Sequence, residues 1–167
     1  MQIRPEERRD YDRVFRVNEA AFGREAEAKL VDALREQVNP VVSLVAEDAG
    51  DVVGHILFTP VHVTGNPDLK IMGLGPVAVA PKRQRSGIGS QLVRSGLEMC
   101  KALDFGAVVV LGHPEYYPRF GFVPASRFGI ACEFDVPDEV FMAVELHAGY
   151  LAQRSGTVKY HDAFRNV

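Results

Sequence analysis

A helical pattern flanked on both sides by strand patterns constrains the fold of this chain more than any other feature. From residue 87 to about residue 103, apolar residues recur at spacings of three to four, which predicts an amphipathic helix. The segment 69–80 before it has a strand pattern, and the run 107–111 after it is entirely apolar. A strand, a helix and a second strand in this order predict a crossover whose two strands lie parallel in one sheet.

The segment before the crossover predicts an antiparallel meander. Strands at 42–47, 52–63 and 69–80 are separated by short turns rich in Gly, Asp and Asn, which is typical of hairpins in series. Pro76 has no N–H for a ladder hydrogen bond, so we expect strand pairing to fail locally beside it.

The two ends of the chain have weaker patterns. A short strand at 2–4 precedes two helices, of which the first begins at Pro5 and ends at Gly23, and the second spans 25–37. After the crossover we expect a short helix at 114–119 and strands at 121–123, 130–134 and 141–146.

Composition indicates one globular domain. The chain has 167 residues, of which 47% are hydrophobic and 25% charged, close to globular averages. We expect a single domain over 1–167, with a core at about 1–147 and a C-terminal tail at 148–167. The formal net charge of −3 disfavours a basic nucleic-acid binder. No apolar run approaches the roughly 20 residues of a membrane span.

The N-terminal residues and the cysteines indicate the cellular compartment in which we expect the protein. The first ten residues are charged and do not resemble a secretory signal. Cys100 and Cys132 are too far apart for a metal knuckle. We therefore expect a cytoplasmic protein with two structural free thiols and no metal.

The loop before the central helix has the chemistry of an anion site. Gly87 and Gly89 let a ligand approach the main chain closely, and the first N–H groups of a helix have no partner within it. With the helix dipole and the cations Lys82, Arg83 and Arg85, these groups suit a pyrophosphate. The alternative is a glycine-rich turn with solvated basic residues.

Two segments resemble landmarks of the GNAT family of N-acetyltransferases. Gln84-Arg85-Ser86-Gly87-Ile88-Gly89 is similar to the family's Gln/Arg-x-x-Gly-x-Gly/Ala signature, and Val77-Ala78-Val79-Ala80-Pro81 to the strand that leads into it. Tyr116-Tyr117-Pro118-Arg119-Phe120-Gly121-Phe122 is similar to the family's Tyr-x-x-x-Gly-Phe segment. The order of predicted elements agrees as well. The resemblance covers the chain to about residue 147 and is greatest to the family's bacterial branch.

This resemblance implies a fold and a chemistry. The fold is an α/β structure with a mixed, mostly antiparallel sheet, flanked by helices and splayed between its fourth and fifth strands. The chemistry is acetyl transfer from acetyl-CoA to an amine, without a metal. The fourth strand would pair with the pantetheine arm, and the loop would hold the pyrophosphate. The implied cofactor-binding residues are Val77, Ala78, Val79, Gln84, Arg85, Ser86, Gly87, Ile88, Gly89, Ser90 and Tyr117.

The resemblance also implies that Tyr117 is a general acid that protonates the departing CoA thiolate. A thiol pKa of about 8.5 makes the thiolate a fair leaving group, so a positioned phenol is a sensible acid. The neighbouring Tyr116 is the weaker choice, and the alternative for both is a core aromatic.

No general base stands out in the sequence. Family members often use a carboxylate on the fourth strand, but residues 71–80 contain no Asp, Glu or His. We take His113, which follows the strand at 107–111, as the base. The alternative is a loop histidine bonded to the main chain. His55 and His62 are seven residues apart on one strand, so they face opposite sides of the sheet.

Acidic residues surround the break between the first two helices, where family members often contact the acceptor. We expect Glu19 and Glu25 to attract a cationic amine there, with Glu27 nearby. The alternative is a solvated acidic face.

We predict an acetyl-CoA-dependent N-acetyltransferase whose acceptor, an unidentified primary amine, attacks the thioester directly in a ternary complex. The missing carboxylate on the fourth strand leaves a second function open, a non-catalytic acyl-CoA-binding regulatory module of the same fold. The fold commonly pairs into dimers, so a homodimer is a further expectation.

Overall fold

Nine β-strands and three α-helices make up the computed structural model, which describes residues 1–167. The helices are α1 (Tyr11–Phe22), α2 (Ala26–Gln37) and α3 (Ile88–Ala102). The strands are β1 (Gln2–Pro5), β2 (Val42–Asp48), β3 (Asp51–Val63), β4 (Ile71–Val79), β5 (Ala107–Leu111), β6 (Val123–Pro124), β7 (Ile130–Cys132), β8 (Phe141–Glu145) and β9 (Gly156–Lys159). None of the helices combines the length and the apolar character that crossing a membrane requires.

Seven of the strands form a mixed sheet in the order β1-β2-β3-β4-β5-β8-β6. β4 and β5, which α3 connects in the chain, lie parallel to each other. Every other pair along this order is antiparallel. The predicted crossover, the predicted meander and the mixed, mostly antiparallel sheet are confirmed.

Helices cover both faces of the sheet. On one face, Leu92 of α3 packs in a buried cluster with Phe58 of β3 and Met72 of β4. On the other face, Leu34 of α2 packs in a separate buried cluster with Leu57 of β3. Because side chains alternate along a strand, Leu57 and Phe58 point to opposite faces and anchor different helices.

The prediction that Pro5 begins a helix is wrong. Pro5 is the last residue of β1, and α1 begins only at Tyr11, after a short 3-10 turn. β1 lies at an edge of the sheet, where a residue without an N–H can be accommodated. Glu6, the residue after β1, forms an ion pair with Arg35 at 2.6 Å.

The segment after residue 147 adds a strand that the sequence pattern did not predict. β9 pairs with the end of β3 and, in parallel, with β7. Leu151, Val158 and Tyr160 are buried in a cluster with residues of the main sheet. The tail is therefore packed against the sheet.

Candidate active site

The sheet opens between β4 and β5. β5 pairs with β4 only as far as Leu74, so residues 75–79 of β4 have no strand partner on that side. On the other side, Gly75 and Pro76 both lie opposite Leu57, which is a β-bulge. Pairing therefore fails beside Pro76, as predicted, and main-chain groups of β4 are left available to a ligand.

A cleft of about 660 Å³ lies at this opening, and we call it the splay cleft. Eleven of its 17 lining residues are hydrophobic, so its walls are largely apolar. Helices α1 and α2, the unpaired half of β4, the end of β5 and the C-terminal tail all contribute to it. The lining residues are Phe22, Glu27, Leu30, Leu74, Gly75, Pro76, Val77, Leu111, Gly112, His113, Tyr117, Phe134, Val136, Tyr160, Phe164, Arg165 and Val167.

Tyr117 lines the splay cleft from the start of a 3-10 turn that follows β5. Its ring lies so close to Gly112 that a Cβ on that glycine would be 2.2 Å from ring carbon Cε2. The hydroxyl makes no hydrogen bond within the protein, although the residue is only 9% exposed. Burial, together with the neighbouring Tyr116, raises the pKa of Tyr117 to about 12. The phenol is therefore protonated and unpartnered beside the cleft.

His113 lies next to Tyr117 in the same wall. Its side chain is exposed and lines the splay cleft. Its carbonyl accepts hydrogen bonds from the N–H groups of Tyr116 and Tyr117, at 3.1 and 3.3 Å. The main chain of His113 thus holds the turn that presents Tyr117.

A second pocket, of about 460 Å³, lies at the N-terminus of α3, and we call it the loop pocket. The backbone enters α3 through two left-handed residues, Arg85 (φ 63°) and Gly87 (φ 89°). Because the first N–H groups of a helix have no partner within it, the pocket offers main-chain donors to an anion. The lining residues are Val79, Arg83, Gln84, Arg85, Gly87, Ile88, Gly89, Ser90, Tyr116 and Arg119.

Three cations and no acidic side chain line the loop pocket. Arg83 is paired with Asp48 at 2.7 Å, outside the lining set, and Lys82 does not line the pocket. Arg119, which sequence reasoning missed, lines it instead and stacks on Tyr116, with its guanidinium carbon 4.3 Å from the ring centroid. Its position within the Tyr-x-x-x-Gly-Phe segment is the sequence signal that could have predicted a cation at this pocket.

Two hydrogen bonds shape the loop pocket. The side-chain amide of Gln84 donates to the carbonyl of Val79 at 3.1 Å, which ties the loop to the end of β4. The hydroxyl groups of Ser90 and Tyr116 are 2.9 Å apart. Tyr116 thus belongs to the loop pocket and Tyr117 to the splay cleft, a division that the sequence did not reveal.

The predicted cofactor-binding residues fall into three groups. Val77 and Tyr117 line the splay cleft. Ala78 is buried, and neither it nor Ser86 lines either pocket. The others line the loop pocket, namely Val79, Gln84, Arg85, Gly87, Ile88, Gly89 and Ser90.

The acidic residue at the cleft is Glu27, and not the predicted Glu19 or Glu25. Neither predicted residue lines the splay cleft, and Glu25 is exposed and paired with Lys29 at 3.2 Å. Glu27 is only 6% exposed, and its carboxylate accepts a hydrogen bond from Arg24 Nε at 2.9 Å. This bond lowers the pKa of Glu27, so the carboxylate is ionised and already paired.

The remaining histidines and cysteines lie outside both pockets. His55 is fully buried and His62 is exposed, which agrees with their predicted opposite orientation on β3. Burial raises the pKa of the Cys100 thiol to about 12, and also raises that of Cys132. Neither thiol has the lowered pKa that an acyl-cysteine nucleophile needs.

Comparison with known sequences identifies relatives over most of the chain. The family model described as Acetyltransferase (GNAT) domain matches residues 2–125. YhbS of Escherichia coli K12, described as an uncharacterized N-acetyltransferase, is 39% identical over 145 residues, which cover 86% of each chain. The N-acetyltransferase YjhQ of the same organism is 40% identical over 134 residues, covering 78% of this chain and 74% of YjhQ.

Comparison with solved structures agrees. The crystal structure of Escherichia coli YhbS in complex with CoA has a TM-score of 0.92 and 36% identity, covering 98% of this chain and 91% of that one. A GNAT acetyltransferase from Brucella melitensis in complex with acetyl-CoA has a TM-score of 0.80 and 36% identity, covering 98% and 97%. Membership of one family explains both the splayed sheet and the two sequence motifs. The chain belongs to the GNAT family of acetyltransferases.

Proposed function

We propose that the chain transfers the acetyl group of acetyl-CoA to a primary amine by direct attack in a ternary complex. The observation that carries this proposal is the unpaired half of β4. Val77 on it lines the splay cleft and Val79 lines the loop pocket, so one extended ligand following the strand reaches both. CoA has this form, with a pyrophosphate and a thioester joined by an extended arm.

The pyrophosphate would bind in the loop pocket. Main-chain N–H groups from Arg85 to Ser90 would donate to it, with Arg85 and Arg119 supplying positive charge. The CoA and acetyl-CoA bound to the two crystallised relatives support this assignment.

The thioester would lie in the splay cleft beside Val77. The pantetheine arm would pair with β4 where β5 leaves it unpaired. The main-chain N–H groups around the bulge would then stabilise the oxyanion that forms on the thioester carbonyl. Removing one donor of this kind costs about 3 kcal/mol of transition-state stabilisation in other enzymes.

Tyr117 would supply the proton for the leaving group. The amine nitrogen attacks the thioester carbon, a C–N bond forms, and the C–S bond breaks as the phenol protonates the CoA sulfur. The raised pKa of Tyr117 keeps the phenol protonated until this step. The amine is protonated in water, so a base takes one proton from it before the attack. The second proton, which the nitrogen releases as the amide forms, restores the phenol.

His113 would be that base. The lining of the splay cleft includes no other histidine, and its one acidic side chain, Glu27, is already paired with Arg24. The His113 side chain lines the cleft and is exposed to solvent, a position that suits it to carrying the proton out of the cleft.

The test is acetyl transfer itself. Purified protein is incubated with acetyl-CoA and a broad panel of primary amines, free CoA thiol is measured, and mass spectrometry identifies the acetylated nitrogen. We expect thiol release that depends on an amine and yields an N-acetyl product. Tight CoA binding with no acetylation of any amine would contradict the proposal and would favour the non-catalytic acyl-CoA-binding module.

A further inference from the structure

The splay cleft is a largely apolar site in which the Glu27 and Arg165 side chains are both paired. Among its lining residues, Glu27 is the only acidic side chain, and Arg24 holds it. Arg165 is the only arginine or lysine, and it pairs with Glu133 at 2.9 Å. The side chains therefore leave no unpaired carboxylate for a second ammonium group and no unpaired cation for a carboxylate.

Aromatic rings build one wall of this cleft. Phe134 and Tyr160 stack with ring centroids 5.6 Å apart and an interplanar angle of 24°. Tyr160 and Phe164 follow with centroids 5.3 Å apart. All three residues line the cleft, and two of them come from the tail that packs beside β3. A wall of this kind offers area and stacking to a flat apolar body.

Exposed apolar side chains concentrate at the same place. Phe22, Leu111 and Val167 are three of the five large hydrophobic residues that are exposed on the whole molecule, and all three line the splay cleft. Exposed apolar side chains that cluster on one surface are characteristic of binding sites. A volume of about 660 Å³ is in the usual range for a small-molecule site.

We propose that the acceptor is a small molecule with one primary amine on an uncharged aromatic or aliphatic body. The inference rests on the proposed acetyl transfer and specifies its substrate class. Its apolar body would lie along the Phe134, Tyr160 and Phe164 wall, with the amine directed towards Val77 and Tyr117. We expect polyamines and amino acids to be poor acceptors, because each further charge would lose its hydration without gaining an unpaired side-chain partner of opposite charge.

The experiment compares 2-phenylethylamine with spermidine and glycine as acceptors at saturating acetyl-CoA. We expect kcat/KM for 2-phenylethylamine to exceed that for either charged competitor by about 100-fold, since an unpaired charge is costly to desolvate. A preference for spermidine or glycine would overturn the acceptor class while leaving acetyl transfer intact.

A matched pair of variants tests the position of the apolar body. Phe22 in the cleft and Leu103 away from it are 40% and 44% exposed, so neither is needed to fill the core. We expect Phe22→Ser to raise KM for 2-phenylethylamine about tenfold through lost apolar contact, with KM for acetyl-CoA unchanged. Leu103→Ser leaves both constants unchanged. Equal effects of Phe22→Ser and Leu103→Ser on KM for 2-phenylethylamine would contradict the proposed position of the apolar body.

A binding measurement separates this inference from the proposed function. Saturation-transfer NMR follows 2-phenylethylamine and spermidine with the CoA-loaded protein, without turnover. Binding of 2-phenylethylamine that Phe22→Ser weakens, in the absence of any acetylation, would sustain the ligand class and reject the proposed function. Failure of 2-phenylethylamine both to bind and to react would overturn the ligand class.

Discussion

At the scale of single residues, the buried His55 shows how a polar group can be fully satisfied in the core. The amide of Asn18 donates to His55 Nδ1 at 3.2 Å, and His55 Nε2 lies 2.8 Å from Ser43 Oγ. The Ser43 hydroxyl donates to Glu6 at 2.9 Å, because a carboxylate can only accept. Its oxygen must then accept from His55, which fixes a neutral imidazole protonated at Nε2.

This environment makes the fold sensitive to acid. Burial, and secondarily the charge of Arg35, lowers the pKa of His55 to about 3. Between the unfolded pKa of about 6.5 and pH 3, the unfolded chain binds a proton that the folded protein excludes, so stability falls as pH falls. We expect up to about 1.4 kcal/mol lost per pH unit in this window from His55 alone.

Urea unfolding at pH 7 and pH 4.5 measures the effect. His55→Gln keeps hydrogen-bonding capacity without a titrating group, so the variant should lose less stability between the two pH values than the wild type. His62→Gln, at an exposed position on the same strand, is the control. Equal pH dependence in wild type and His55→Gln would show that His55 is not responsible.

At the scale of elements, the junction between β5 and the following 3-10 turn positions Tyr117, the proposed acid. Gly112 leaves room for the ring of Tyr117, since a Cβ there would lie 2.2 Å from a ring carbon. We expect Gly112→Ala to displace the ring and reduce kcat at least about tenfold, because a small misplacement of a catalytic group is costly. Steady-state kinetics with the best amine acceptor measures this.

A double mutant shows whether Gly112 acts through the Tyr117 hydroxyl. If it does, adding Gly112→Ala to Tyr117→Phe should reduce kcat little beyond Tyr117→Phe alone. If the two substitutions instead reduce kcat by factors that multiply, Gly112 affects the site independently of the Tyr117 hydroxyl.

A separate prediction concerns the loop before α3 and the affinity for CoA. Gly89 has space for a side chain, as a Cβ would lie 3.5 Å from the Tyr116 hydroxyl. Gly89→Glu should weaken CoA binding by at least about 100-fold, because it adds negative charge where the helix terminus and cations would hold the pyrophosphate. Gly89→Gln has nearly the same shape without the charge and should weaken binding much less. Calorimetry giving equal affinities for these two variants would contradict the pyrophosphate site.

Gly87 is a less informative position for the same experiment. Its φ of 89° is in the left-handed region, so any side chain there strains the turn as well as adding bulk. Loss of CoA binding in Gly87→Glu is expected, but it follows from strain and charge together.

At the scale of the whole molecule, the sequence predicted the parts that local patterns determine. The order of elements around the crossover and the loop before α3 follow from periodicity and glycine placement over short windows. The sequence did not predict which acidic residue lines the cleft. Choosing Glu27 over Glu19 and Glu25 requires knowing how α1 and α2 are rotated against the sheet. The aromatic wall at Tyr160 and Phe164 depends on β9 pairing with β3 across nearly a hundred residues, which no local pattern encodes.

The distribution of charge over the whole molecule also fits a polyanionic cofactor in the loop pocket. The chain is acidic overall, with a net charge of −3, yet no acidic side chain lines the loop pocket. An acidic body with one cationic pocket suits a polyanionic cofactor, and the largely apolar splay cleft beside it suits an uncharged acceptor body. Both pockets meet at β4, and Val77 and Tyr117 both line the splay cleft, so we place the proposed chemistry there.

The kinetics of Tyr117→Phe test this claim most directly. The hydroxyl has no hydrogen-bond partner in the protein, so its removal should leave stability unchanged. If Tyr117 is the acid, kcat should fall by about 100-fold or more across the pH range. An unchanged kcat at every pH, with acetyl-CoA still bound, would contradict the account.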